Sequence, residues 1–290
     1  MAWRTLVVNC HSKLSYRNNH LLFQSADKME HIHLSEIDVL ILENTMITMT
    51  TMLIKRLIDE KIAVIFCDDK ALPIANLSAL YSRYDSAAQL EKQILWDNEI
   101  KDKVLQQILL QKMTNQSALL KSNDLLTKVE AIDDLILNVN VSDPVNTEAQ
   151  IAKMYFKSLF GADFHRRELT DINAGLNYGY SILLSMVARE IAVNGCITQL
   201  GINHCNQFNQ FNFASDLMEP FRVLVDQIVY ENRHESFVYI KRRILDIFNR
   251  TYKYHDKNAY LTNIISDYVR RIIRALNREI TEIDEFRYEL

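Results

Sequence analysis

The chain has 290 residues and a formal net charge of −4, is 48% hydrophobic and 24% charged, and contains only five Gly and three Pro. Average usage is about 7% Gly and 5% Pro, and all five glycines lie between Gly161 and Gly201. They cannot build a G-x-G-x-x-G dinucleotide turn, a G-x-x-x-x-G-K-[ST] phosphate loop or a G-x-S-x-G nucleophile elbow. Collagen-like sequence and Gly/Ser linkers are excluded too. Taken as a total, the acidic balance does not suggest a nucleic-acid binder.

The first 80 residues carry strand signals. Arg4–Cys10 is short and β-branched. Ser12–Tyr16 and His20–Gln24 flank Arg17-Asn18-Asn19, a hairpin turn in which Asn tolerates a positive φ. His31–Leu34 and Ile37–Leu42 continue the pattern. The period then becomes helical over Met46–Glu60, with Thr48 or Thr50 as cap, and Ile62–Cys67 reads as a buried strand.

From Tyr81 onward helical spacing dominates. One long amphipathic helix is expected over Leu90–Ile108. Asp143-Pro144 breaks the run before a helix over Asn146–Phe160. Further helices are expected over Ala174–Val193, Asp216–Tyr230, Ile240–Asn249 and Leu261–Leu276. The fold class is therefore α+β by segregation: a small, sandwich-like N-terminal β-sheet domain (1–80) followed by a larger all-α C-terminal domain (81–290). Four dispersed cysteines without a C-x-x-C pair suggest reduced thiols. No signal peptide or apolar run of about 20 residues is visible, so a cytoplasmic protein without a membrane segment is expected.

Polar residues gather in Gly201–Arg222. On one helix Asp216 and Glu219, three apart, share a face, and Ser215 as its cap sets both acids near the positive end. His204 lies twelve residues earlier. Two carboxylates and an imidazole suit Mn²⁺ or a tolerant Mg²⁺ site. Spacing alone leaves other readings open. The acids could be a solvated face, His204 a hydrogen-bonded structural residue, and the Asn/Gln/Phe run an amphipathic helix with Phe208 and Phe211 inward. A zinc site of Cys196, His204 and Cys205 lacks a fourth ligand.

The longer string Phe211-Asn-Phe-Ala-Ser-Asp-Leu-Met-Glu-Pro-Phe-Arg222, with Val225-Asp226, closely resembles the signature of CRISPR-associated protein one ("Cas one"), the CRISPR adaptation integrase family. The resemblance extends to Asn173-Ala-Gly-Leu-Asn-Tyr-Gly-Tyr180, Phe160-Gly-Ala-Asp-Phe164 and Glu148. His11–His20 and Val64–Lys70 look like the subtype II-A form. The resemblance implies catalytic residues Glu148, His204, Glu219 and Asp216. Glu148, His204 and Glu219 would hold Mg²⁺ or Mn²⁺, with Asp216 a supporting acid. It also implies joining of 3′-hydroxyl ends of captured double-stranded DNA to CRISPR leader-repeat DNA. The implied partners are a second copy, through the β domain, and a small companion adaptation protein ("Cas two") in a heterohexamer. A subtype II-A accessory protein and effector nuclease join them. Many relatives carry Asp at the position of Glu219, and Pro usually follows Arg222 where this chain has Val223.

The charge distribution accommodates DNA better than the total does. Between Arg222 and Arg278 stand twelve basic and six acidic residues, net +6. Candidate phosphate contacts are Arg222, Lys241, Arg242, Arg243, Arg270, Arg271 and Arg274, with Arg83 at the domain junction. The rivals are a metal-dependent nuclease without joining activity and a non-catalytic helical binding module.

Overall fold

The computed structural model describes residues 4–77, 84–139 and 144–281. The N-terminal part holds two four-stranded sheets. In the first, β1 (Arg4–Val8), β5 (Ile37–Leu42) and β7 (Ala63–Cys67) run parallel, and β8 (Pro73–Asn76) closes the edge antiparallel to β7. In the second, β2 (Lys13–Arg17), β3 (His20–Gln24) and β4 (Met29–His33) form an antiparallel meander, and β6 (Thr48–Met49) pairs parallel with β2. The β2–β3 turn forms as expected, with Asn18 and Asn19 at φ 49° and 62°. Helix α1 (Thr51–Asp59) starts five residues later than its periodicity suggests, because Thr48–Met49 is drawn into pairing with β2. Thr50 caps it, its hydroxyl accepting from the Leu53 amide at 3.3 Å.

Alternation decides what each face of the first sheet meets. Leu40, Leu42 and Val64 pack with Leu14, Leu21, Leu53 and Leu57, closing the two sheets over α1. Val39, Ile41, Ile65 and Cys67 face the other way, into the helical core. The β part is thus an α/β layer whose second face is covered by helices, and the two parts share apolar contacts. The expected boundary at residue 80 lies outside the described residues.

Helices supply the rest. The expected helix over 90–108 is two: α2 (Ser86–Ile94) and α3 (Asn98–Ser122), separated where Asp97 caps α3 through the Ile100 amide at 2.9 Å. Next come α4 (Val129–Leu137), which periodicity did not single out, and α5 (Pro144–Phe160). Pro144 opens α5, where its missing N–H costs nothing. The long α6 (Asp171–Val193) is the central helix and packs on most of those that follow. At Gly179 a Cβ would collide with Val225, so the crossing of α6 over α8 requires a residue without one. The expected helix over 216–230 is divided into α7 (Asn212–Leu217), a 3-10 turn (Glu219–Phe221) and α8 (Arg222–Glu231). After α9 (Phe237–Ile244) and a 3-10 turn, a β9–β10 hairpin (Thr251–Tyr254, Lys257–Tyr260) leads into α10 (Leu261–Leu276), whose bounds match the periodicity. Among the described residues no helix is long and apolar enough to cross a membrane.

Candidate active site

Glu148 lies in the second turn of α5. Ile151, Tyr155 and Leu159 on the same face are buried, which turns Glu148 towards α3. Lys112 projects from α3 to meet it. Its ammonium donates to Glu148 Oε1 and stands 2.6 Å from Glu219 Oε2, so one cation joins carboxylates 71 residues apart in sequence. Glu219 comes from the 3-10 turn. Pro220 has no N–H to continue α7, and the chain tightens there to an i, i+3 bond from the Phe221 amide to the Met218 carbonyl. Asn115, one turn beyond Lys112, holds this turn by donating to the Pro220 carbonyl at 3.0 Å.

Glu219 is nearly inaccessible and carries a second cation, Arg222, 3.0 Å from Oε1. Burial pushes its carboxyl up, but Arg222 and Lys112 outweigh burial and hold it below the usual range. For Lys112, burial works against the charge, and Glu219 and Glu148 more than restore it, so the ammonium is held above its ordinary value. Glu219 Oε2 is buried, and Lys112 is its charge partner.

Asp216, three residues earlier, has a different task. It ends α7 rather than starting a helix, so the expected Ser215 cap and positive helix end are not what holds it. The amide-rich stretch 198–211 is a loop rather than an amphipathic helix: Phe208 is 85% exposed, not inward. Asn212 pins that loop through the Gln199 and Asn206 carbonyls, and Gln93 through Ile197 and Leu200. The loop wraps back over Asp216, whose carboxylate accepts from the amides of Ile202 (2.7 Å), Asn203 (3.1 Å) and His204 (3.1 Å). Gly201 permits this, since a Cβ there would strike both the His204 carbonyl and Asp216 Oδ2.

The remaining capacity of Asp216 goes to His204, with Nδ1 2.5 Å from Oδ1. That bond raises the His204 pKa despite partial burial, and it assigns the proton to Nδ1. Nε2 is then free to hold a ligand or accept a proton. A carboxylate behind one imidazole nitrogen is the arrangement that orients metal-binding histidines. Asp216 is therefore a positioning acid for His204, saturated by the backbone.

Behind Glu219 lies a buried polar network that periodicity did not reveal. Asp226 accepts from Tyr155 Oη at 2.8 Å and from Tyr180 Oη. Burial pushes its carboxyl up to about 6, although both hydroxyls and Arg222 oppose that. The Arg222 guanidinium lies 4.7 Å from the Tyr180 ring centre and Arg166 lies 5.5 Å from it. Tyr180 and Asp226 both stand in the strings that carried the resemblance, without a role then attached. Lys112 had no such signal, because it sits in a helix rich in Gln, Asn and Leu. Val223 is explained: it is buried against Leu105, Leu109 and Tyr155.

The basic candidates fall into three groups. Arg222 belongs to the acid cluster. Lys241 does not face outward: its ammonium is tied 2.8 Å from Glu43 Oε2 at the joint between β5 and α9, with the side chain 15% exposed. Arg242 and Arg243 lie on the exposed face of α9, Arg243 paired with Asp246 at 2.8 Å. On α10, Arg270 and Arg271 share Asp267, and Arg274 approaches Glu279 at 3.6 Å. Acids on the same turns thus offset part of the basic stripe. Arg83 lies outside the described residues.

The CRISPR associated protein Cas1 family model matches residues 6–261. The chain belongs to the Cas1 family. It is 34% identical over 232 residues, 79% of this chain and 75% of the relative, to a CRISPR-associated endonuclease Cas1 of Neisseria meningitidis serogroup C. Two solved structures share the fold at 20% identity and a TM-score of 0.76. One is a casposase bound to integration product, matched over 98% of this chain and 94% of that one. The other is a Cas6-RT-Cas1–Cas2 complex, where the match takes in 99% of this chain and 36% of the longer one. The α+β architecture is thus that of Cas1 structures, a sheet part followed by helices.

The donor set suits a hard divalent cation. Two carboxylates already converge on one positive charge, and an imidazole with a free Nε2 interacts electrostatically with Glu219. They do not form a ready coordination set: among the described residues no three His, Cys, Asp or Glu groups are placed to share an ion. The Lys112 ammonium stands between the two carboxylates instead.

Proposed function

We propose that this chain is a metal-dependent DNA endonuclease and integrase of CRISPR spacer acquisition. It joins 3′-hydroxyl ends of captured double-stranded DNA to CRISPR leader-repeat DNA by transesterification. The observation that supports this most is the convergence of Glu148 and Glu219 on one cation, beside an Asp216-backed His204, within a Cas1-family chain. Mg²⁺ or Mn²⁺ would be held by Glu148, Glu219 and His204 Nε2, supplying charge stabilisation at the phosphoryl group and a more acidic attacking hydroxyl.

The chain's own groups set the rest. The attacking 3′-hydroxyl gives up its proton and forms a bond to phosphorus as the bond to the strand's bridging 3′-oxygen breaks, and that oxygen takes up a proton and leaves as a new 3′-hydroxyl. Bond number is conserved, so no ATP is required, in keeping with the missing phosphate loop. Asp216 keeps His204 in one tautomer and orientation. Arg222, fixed by Glu219 and Tyr180, presents a guanidinium at the edge of the site for a phosphate oxygen. Arg242, Arg243, Arg270, Arg271 and Arg274 are the surface charges proposed to track DNA. The assembly proposed is a homodimer through the β domain, with dimers bridged by the small companion protein. The match to a chain of a Cas1–Cas2 complex supports that partner.

The test is strand joining: a duplex with 3′-hydroxyl ends, a repeat-bearing plasmid, the companion protein, and Mg²⁺ or Mn²⁺. Joined product is expected from the native chain and is absent from Glu148→Gln and His204→Ala. Joining that survives both changes in folded protein would refute the site. Cleavage without joining would reduce the reading to a nuclease.

A further inference from the structure

We infer that Lys112 is a built-in exchangeable cation: its ammonium holds Glu148 and Glu219 together until a divalent metal takes its place. The inference rests on the metal-site reading above. An ammonium within 2.6 Å of Glu219 Oε2 and in hydrogen-bond contact with Glu148 Oε1 fills the space a shared ion needs. Metal–oxygen bonds for Mg²⁺ are about 2.0–2.1 Å long, so ammonium and metal cannot both sit between the same two oxygens. One must leave, and the lysine can, because its head group ends a flexible four-carbon stem.

The surroundings support exchange over a permanent salt bridge. A permanent buried pair is balanced, each oxygen matched to a donor. Here one ammonium is divided between two acids that come from different helical segments. Arg222 already serves Glu219 through the other oxygen, so the carboxylate keeps a partner when Lys112 withdraws. Lys112 and Glu148 are largely but not wholly buried, their side chains 12% and 18% exposed. Asn115 keeps the 3-10 turn in place from the same helix, so α3 need not move. Without a cation between them, the two carboxylates would repel across a poorly hydrated gap. Lys112 thus preassembles the acid pair and, as a competitor, weakens its hold on metal.

The experiment measures Mn²⁺ binding to the full chain by electron paramagnetic resonance of free Mn²⁺, with thermal melting alongside. Lys112→Met removes the charge and keeps the length. It is expected to bind Mn²⁺ about tenfold or more tightly than the native chain, one charge contact having been removed. It should melt lower without metal and gain more from Mn²⁺. Lys112→Arg keeps the charge and is expected to bind no more tightly than the native chain. Equal or weaker binding by folded Lys112→Met overturns the inference. Glu148→Gln and Glu219→Gln separate the two levels: if neither weakens Mn²⁺ binding, the metal-site reading itself fails. If they abolish binding but Lys112→Met changes nothing, only the exchange fails. The native protein crystallised with Mn²⁺ gives a reading without mutation. Lys112 Nζ should lie more than about 4 Å from at least one of the two carboxylates. Metal bound with both ammonium contacts intact would overturn the exchange.

Discussion

Two lysine–glutamate clusters in this molecule look alike and are built to opposite ends. At the joint between the β part and the helices, Glu43 accepts from Tyr178 Oη at 2.9 Å and from Lys241 at 2.8 Å. Each oxygen has one donor, the charges balance, and burial together with Glu43 pushes the Tyr178 hydroxyl far up. In the candidate active site one lysine serves two glutamates. The first cluster is closed and holds two layers together. In the second, Lys112 is shared between two carboxylates, and Arg222 holds one of them a second time. What separates the two clusters is how the lysine is shared, since both use the same residue types.

That contrast predicts separable losses. Glu219→Gln is expected to lower strand joining by about 10³-fold, roughly 4 kcal/mol of transition-state stabilisation, with a smaller loss of stability, because Lys112 keeps Glu148 as its partner. Glu43→Ala should do the reverse. Leaving the Lys241 ammonium buried without its carboxylate costs about 3 kcal/mol, read as a lower urea midpoint, and joining per folded molecule is retained. A folded Glu43→Ala without activity, or a Glu219→Gln that fails to fold, would break the comparison.

A smaller effect concerns Asp226, whose carboxyl is pushed up to about 6 from about 3.9 in an unfolded chain. The folded protein binds this proton more tightly than the unfolded chain does. Stability is therefore lost as pH rises from about 4 to about 6 and is not regained above, by an amount on the order of 2–3 kcal/mol. Asp226→Asn should flatten that part of the pH profile in urea titrations. The smallest effect is expected at Arg270, paired with Asp267 on the surface. Arg270→Ala should change stability by less than about 1 kcal/mol. It should also reduce the slope of DNA affinity against salt by about one.

Much of this was legible in the chain, for local reasons. The Asn18-Asn19 turn, the break at Asp143-Pro144 ahead of α5 and the full extent of α10 follow from backbone preferences and from one unbroken apolar stripe. Spacing raised Asp216, Glu219 and His204 as candidates, and the family resemblance of the longer string chose among the open readings and added Glu148. Spacing misled at 216–219, where an i, i+3 pair implied a shared helical face. Pro220 and the loop over Asp216 split that face, giving Asp216 to three backbone amides and Glu219 to two cations.

The sequence by itself determined the segregation of strands from helices, the residue types of the site and the absence of nucleotide-loop chemistry, because these depend on composition and short-range pattern. Only the tertiary structure decided that Lys112 stands between Glu148 and Glu219, that Lys241 turns inward to Glu43, and that Tyr155 and Tyr180 meet on Asp226. Those pairings join residues between 36 and 198 positions apart. A charge is catalytic, structural or free to meet DNA according to what lies across from it, and chain order alone does not say what that is.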